Sequence, residues 1–218
     1  MNVPIEGADQ EREDAQQQTA ELEDEILAAA QRILGQAGAY SILHPACGNG
    51  RYARHLAAAG FSVTAFDLLT LMVRGAATRA VSSNLTIRYL VDDPSLPARD
   101  MGEFDGVFAP DIIHLFEAHQ RQRIIRLLCK RLRPGGVAIV TVLSDRDARY
   151  GRGREIEPGT FEVGPGLIMH FYSEEELHYE LERYFQVSAI EAVTEVDTDH
   201  LGTKREYSVL LACGTKRA

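Results

Sequence analysis

Residues 42–50 read Ile42-Leu43-His44-Pro45-Ala46-Cys47-Gly48-Asn49-Gly50, and their reading decides the fold. A short apolar run over 40–43 enters a glycine-containing turn, and 51–59 follows with helical spacing and a stop at Gly60. In an open α/β sheet, ligands bind beyond the carboxyl ends of the strands. The first turn must let backbone approach the ligand closely, and glycine allows this at the least steric cost. Gly48 and Gly50 supply that freedom. The run Gly48-Asn49-Gly50-Arg51-Tyr52-Ala53 also satisfies the GxGxxA form of a dinucleotide fingerprint, so a nicotinamide-dependent dehydrogenase is one reading.

Working outward, the same unit repeats. Residues 61–66 alternate and end at Asp67, 69–80 read as helix, and 85–91 read as strand before the Asp92-Asp93-Pro94 break. Residues 104–109 are apolar. Residues 117–132 carry Ile124, Ile125, Leu127, Leu128 and Leu132 on one face, and Arg133-Pro134-Gly135-Gly136 separates them from the β-rich run 137–143. Five strands alternating with helices predict a doubly wound, Rossmann-like α/β domain with a parallel sheet covered on both faces. A further amphipathic helix precedes it from about residue 20, carrying Leu22, Ile26, Leu27, Ala30, Ile33 and Leu34 and stopping at Gly35 and Gly38. Residues 144–167, rich in Gly, Arg and Pro, read as a long loop or lid-like insertion extending to about 170. Ser173 and Glu176 form a capping box that opens a helix to about 184, and 187–196 and 205–212 read as an antiparallel hairpin at the sheet edge.

The 218 residues and 45% hydrophobic content fit one ordinary domain, with residues 19–218 as its expected extent. No apolar run reaches the roughly eighteen residues of a membrane span, and no secretory signal opens the chain, so a cytoplasmic protein is expected. Of the net charge of −9, residues 1–25 hold nine acids and one base. The body is therefore nearly balanced, with neither a basic stripe for nucleic acid nor a strongly acidic surface. Residues 1–18 have almost nothing to bury and read as a flexible acidic leader. Cys47, Cys129 and Cys213 are far apart, without metal-ligand spacing, so no metal site is expected.

The string ACGNG after the first strand, Arg51 opening its helix, Asp67 after the second strand, Asp92-Asp93 after the third and LRPGG (132–136) before the fifth resemble class I S-adenosylmethionine-dependent methyltransferases. The stretches 149–161 and 170–173 are similar to the small tellurite-resistance-type methyltransferases. The resemblance implies a seven-stranded, mostly parallel sheet with an antiparallel last strand, and S-adenosylmethionine as cofactor. It implies that Ala46, Cys47, Gly48 and Gly50 cradle the methionine part and that Arg51 meets its carboxylate. Asp67 would accept both ribose hydroxyls, Asp92 or Asp93 the adenine amine, and Leu68 and Met72 would lie against the ring, although core packing is their expected main role. Ala109 and His114 would line the cofactor's side of the fourth strand. The chain departs from the family pattern at His44, where an acid is usual, and at Ala46, where glycine is usual. An imidazolium at 44 would repel the cofactor's amino end, and the methyl of Ala46 matters little if its φ is negative.

The acceptor is expected to be a small molecule with a nucleophilic atom, a thiol or chalcogen oxyanion among the candidates, handled by a monomer or homodimer. His200, Arg205 and Asp111 are the candidate catalytic residues, with Tyr150 and His170 behind them, because these positions fall near strand carboxyl ends or in the late turn. The cluster Arg146, Arg149, Arg152 and Arg154 is offset by Asp145, Asp147, Glu155 and Glu157, and reads as internal ion pairs. A non-catalytic cofactor-binding protein of the same fold is the alternative outside enzymes.

Overall fold

The structure is a computed structural model that describes residues 25–198 and 204–217, apart from the side chains at 195–198 and 204–206. The acidic leader, 1–18, lies outside the described residues. Ten strands and five α-helices are described, with one 3-10 turn at Ile113–Leu115: α1 (residues 25–36), β1 (Ser41–Pro45), α2 (Arg51–Ala58), β2 (Ser62–Asp67), α3 (Thr70–Ser82), β3 (Arg88–Val91), β4 (Phe104–Ala109), α4 (Ala118–Lys130), β5 (Leu132–Leu143), β6 (Arg154–Glu157), β7 (Thr160–Gly164), β8 (Leu167–His170), α5 (Glu174–Glu182), β9 (Phe185–Thr198) and β10 (Lys204–Lys216).

The main sheet has the order β3-β2-β1-β4-β5-β10-β9. All neighbours are parallel except β10, which runs antiparallel to both β5 and β9. Alternate residues on the central strands explain why both faces are covered. Leu43, Val107, Val140 and Leu210 pack with α4 and α5, whereas Ile42, Phe108, Ile139 and Leu211 pack with α1 and α2. The chain leaves β1 toward β2 and β3, then returns to β4 on the other side, so the strand order reverses between β1 and β4. That switch point is where an open α/β sheet leaves a crevice. The strands approach closely there: a Cβ on Gly106 would sit 2.6 Å from Leu34 Cδ2 and 2.9 Å from Ile42 Cδ1.

Three expectations change. No helix joins β3 to β4. Instead, the Asp92 carboxylate accepts from the backbone N–H of Asp93, Ala98 and Arg99 and organises an irregular connection. Strand β5 begins at Leu132, because the Pro134-Gly135-Gly136 break is absorbed by a register shift against β4. The expected loop over 144–170 is a three-stranded antiparallel sheet, β6-β7-β8. Its turns contain Pro158-Gly159 and Pro165-Gly166, with φ of +70° at both glycines, which suits a glycine at the third position of a tight turn. The small sheet is tied to the body where Tyr172 N donates to Leu143 O and Asp145 N to Tyr172 O, each at 2.8 Å.

The hairpin β9–β10 outreaches the sheet. β10 pairs with β9 from Lys204 but with β5 only from Val209. Because β10 is antiparallel, this excess stands above the carboxyl edge, where the switch point opens, by roughly 13 Å at the usual rise per residue.

Candidate functional site

The turn after β1 is built from three left-handed residues, Ala46 (φ +50°), Gly48 (+51°) and Gly50 (+75°). Cys47 N donates to Phe66 O at 3.0 Å, Gly50 N to Cys47 O at 2.8 Å and Gly48 N to Asp67 Oδ2 at 2.9 Å, so the end of β2 holds the turn in shape. The two glycines serve different ends. A Cβ on Gly50 would lie 2.5 Å from Tyr89 Oη and 2.7 Å from Ala76 Cβ, so α2 begins in close packing against β3 and α3. A Cβ on Gly48 would meet nothing within 4 Å and would project into open space. Ala46 carries a side chain at a positive φ, contrary to the benign geometry expected for it, at a cost of roughly 1–2 kcal/mol.

A cavity of about 290 Å³ opens on this turn, bounded also by His44, Arg51, Pro110 and Asp111, at the lower end of small-molecule sites. His44 is buried, and its Nδ1 donates to Phe108 O at 2.9 Å. Burial outweighs that hydrogen bond and the nearby Asp67, and holds the imidazole down to about 4. The ring is neutral at physiological pH, which removes the repulsion expected of an imidazolium. Cys47 is equally quiet, its thiol pushed up to about 12 by burial and then by the Asp67 carboxylate.

Asp111 follows β4 in a left-handed conformation, φ +52°. Thr141 Oγ1 donates to its Oδ1 at 2.8 Å and accepts from its backbone N–H at 3.1 Å, which fixes the carboxyl group at the cavity wall. Burial raises its pKa, opposed only in part by the threonine.

Asp67 takes Gly48 N on one oxygen and Leu69 N on the other, each at 2.9 Å, and each oxygen keeps a second acceptor direction. Beyond it, Leu68 is 58% and Met72 43% exposed, so the expectation that they mainly pack in the core is overturned. Asp92 accepts from three backbone N–H groups, two on Oδ1 and one on Oδ2, so only Oδ2 keeps an acceptor direction for an adenine amine. Asp93 uses Oδ1 for the N–H and hydroxyl of Ser95. Ala109 is buried in the core, and its successors Pro110 and Asp111 reach the cavity in its place. His114 is also away from the cavity. It is buried beside the small sheet, where burial first, then the Arg149 guanidinium and His170, hold its imidazole down to about 3.

The other expected acceptor residues divide. His170 is fully buried, with Nδ1 2.8 Å from Thr160 Oγ1 and Nε2 3.1 Å from Glu176 Oε1, and belongs to a structural network. That network centres on Arg121, only 3% exposed, within 3.6 Å of both Glu157 and Glu180. Tyr150 is half-exposed and edge-on to Phe161 and Phe171. Of the arginine cluster, Arg146 and Arg154 make exposed pairs with Glu174 and Glu162. Arg149 differs: it is bidentate on the buried Asp147 and lies 4.2 Å over the ring of Tyr207. His200 lies outside the described residues. The backbone of Arg205 pairs with Asp197 in the overhanging part of the hairpin. Thr141 and Arg121 carried no sequence signal, being a mid-strand threonine and one arginine among many.

Among the described residues no cluster could hold a metal, and no helix is long and apolar enough to cross a membrane. Residues 42–136 match the family model described as a methyltransferase domain. A ubiquinone biosynthesis O-methyltransferase from Rickettsia akari is 33% identical over 112 residues, 51% of this chain and 43% of that protein. The chain thus spans less than half the length of that curated relative. Among solved structures, an S-adenosylmethionine-dependent methyltransferase from Methanosarcina mazei superposes with a TM-score of 0.67 at 23% identity over 81% of this chain and 92% of that one. TehB from Haemophilus influenzae gives 0.66 at 16% identity over 88% and 61%. Residues 42–136, which contain the glycine turn, thus match a methyltransferase domain, and the fold is the one shared with S-adenosylmethionine-dependent methyltransferases.

Proposed function

We propose that this protein transfers a methyl group from S-adenosylmethionine to a small-molecule acceptor, acting in the cytoplasm as a monomer or homodimer. The observation that carries the reading is the cavity at the β1–β4 switch point, where a left-handed turn, a guanidinium and a carboxyl group converge. The donor set suits an amino acid joined to a nucleoside, and Gly48 leaves the space such a ligand needs. Arg51 would meet the amino-acid carboxylate. Asp67 would accept the ribose hydroxyls on its remaining acceptor directions, Asp93 the adenine amine, and Leu68 and Met72 would cover the base. When bound, the cofactor supplies a methyl group on a sulfonium, open to in-line displacement.

For such a displacement the chain has mainly to align the nucleophile and exclude water. The overhanging hairpin, which carries Arg205, would wall the acceptor side together with Arg149, Tyr150 and Tyr207, and His200 would act on the same side. A thiol or chalcogen oxyanion needs little help from a base, so these groups would orient the acceptor. The test is calorimetric titration with S-adenosylhomocysteine, followed by turnover of labelled cofactor with thiols, phenols and chalcogen oxyanions. Saturable binding and methylation of one class are expected. No binding overturns the reading, and binding without turnover on any of them favours a non-catalytic cofactor-binding protein.

A further inference from the structure

We propose that the faces of α4 and α5 that turn away from the sheet form the interface of a two-fold symmetric dimer, in which α4 of each copy lies on α5 of the other. Such a dimer would form whether or not the protein transfers methyl groups.

The two helices lie side by side on one face of the sheet, since Ile124 and Leu128 of α4 share a core with Leu177 and Leu181 of α5. They run in the same direction. Arg121, early in α4, lies 3.6 Å from Glu180, and Cys129, late in α4, donates to Tyr184 O, just past the end of α5, at 3.7 Å. Their outward faces differ in charge. α4 contains no acid, and His119, Arg123, Arg126 and Lys130 recur at helical spacing on its exposed side. The side chains of Arg123, Arg126 and Lys130 have no partner among the described residues. α5 contains five glutamates. Glu176 and Glu180 turn inward to Arg121, whereas Glu175 is exposed and Glu182 keeps 43% of its side chain exposed. Between them Tyr179 is 59% exposed, with Arg183 over its ring.

Charge selects the symmetry axis. An axis across the helices would set α4 against α4 and oppose like cations. An axis parallel to the helices and between them sets each α4 against the other copy's α5 and leaves heights along the helices unchanged. Arg121 stands level with Glu176 and Glu180, and Cys129 with Tyr184, so Arg123 comes opposite Tyr179 and Arg126 opposite Glu182. Lys130 comes opposite the last carbonyls of α5, the negative end of its dipole. Arginine and tyrosine are residue types enriched at protein interfaces. No residue of α4 or α5 bounds the cavity, so pairing leaves it open in both copies. Two helix faces make a small, polar interface, so the dimer is weak and salt-dependent.

Sedimentation equilibrium of the full chain at low salt should show a reversible dimer with a dissociation constant of about 1–100 μM, weakened at least fivefold at high salt. Arg126→Glu and Glu182→Arg should each be monomeric alone, because each opposes like charges at both contacts. Mixed in equal amounts they should dimerise again, because the mixed dimer opposes unlike charges at both. Arg79→Glu, the same charge change on α3, should dimerise as wild type does. If Arg126→Glu or Glu182→Arg does not fold, Arg123→Ala and Tyr179→Ala decide, each weakening the dimer at least threefold. Wild type that stays monomeric throughout that concentration range overturns the proposal. So do variants that dimerise unchanged, or a mixture that remains monomeric.

Discussion

His44 Nδ1 lies 2.9 Å from the carbonyl oxygen of Phe108, on the neighbouring strand, and donates its proton there. The bond fixes the tautomer, and burial keeps the ring neutral down to about 4 against an ordinary value of 6.5. Unfolded protein takes up this proton as pH falls through 6.5, whereas folded protein resists until about 4. The contribution of His44 is therefore intact above 6.5 and is lost between 6.5 and 4, by about 3 kcal/mol in all. His114, held down to about 3, adds a loss of the same sign. Melting temperature measured from pH 8 to pH 4 should fall steeply below 6.5, and His44→Gln should flatten the fall. An unchanged slope would show that His44 is not buried as described. An acid at 44 would set a carboxylate against the Phe108 carbonyl, so His44→Asp is expected to destabilise the protein rather than to tighten the cofactor site.

Ala46 holds a left-handed conformation at φ +50°. Glycine would remove that strain at a smaller cost in unfolded-chain entropy. Ala46→Gly should raise stability by ~0.5–1 kcal/mol in urea denaturation, whereas Ala53→Gly, buried within α2, should lower it by at least that amount. A fall for both would mean that Ala46 makes packing contacts that outweigh its strain.

Asp67 joins the turn to α3 and faces the crevice. Asp67→Ala should weaken S-adenosylhomocysteine by about 2–3 kcal/mol, the scale of hydrogen bonds to a charged group, and should lower the melting temperature as well. Asp67→Asn keeps one backbone acceptor, so it should spare more stability than affinity. Calorimetry and thermal melting on the same two variants separate these effects, and unchanged affinity in both would remove the ribose assignment.

What was legible in the sequence was whatever local pattern controls. Ile42 and Leu43, or Val107 and Phe108, announce a strand covered on both faces, and Gly48 and Gly50 announce a backbone that must bend where a ligand lies. The small sheet was not read, because its strands are four or five residues long and its Pro-Gly turns resemble loop composition. Three site features were beyond reach for another reason. Thr141 holds Asp111 across 30 residues and Phe108 sets the His44 tautomer across 64, so neither spacing leaves a periodic trace. Asp92 looked like a ligand because carboxylates at strand ends often are. Only the loop it gathers shows that three backbone N–H groups already take most of its acceptor directions.

Arg121 joins α4 to Glu157 of the small sheet and Glu180 of α5. Removing one partner of such a buried group leaves charge without compensation, so Arg121→Met should cost about 3–5 kcal/mol. Adding Glu180→Gln should recover part of the loss, since the two effects are coupled. Strict additivity in urea denaturation would show that the pair does not interact in solution.

The overhang of β9–β10 carries the chemical prediction. Every contact assigned to the cofactor comes from the carboxyl ends of β1 to β4, the turns after them or the first turns of the helices that follow, whereas β9 and β10 pair with each other beyond the last pair of β10 with β5. We propose that His200, which lies outside the described residues, acts on the acceptor rather than on the amino-acid end, the ribose or the base. His200→Ala should therefore lower turnover at least tenfold on any acceptor that wild type methylates, while S-adenosylhomocysteine affinity stays within twofold. A general base would show a larger loss, of about 10²–10⁴-fold, concentrated below the pH at which the acceptor ionises unaided. An orienting role would instead raise KM at every pH. Arg205→Ala should follow His200→Ala if the acceptor is anionic and should be silent if it is neutral. Full activity of the His200 variant would move the proposed acceptor wall to Arg149, Tyr150 and Tyr207, where Arg149→Gln is the next variant to assay.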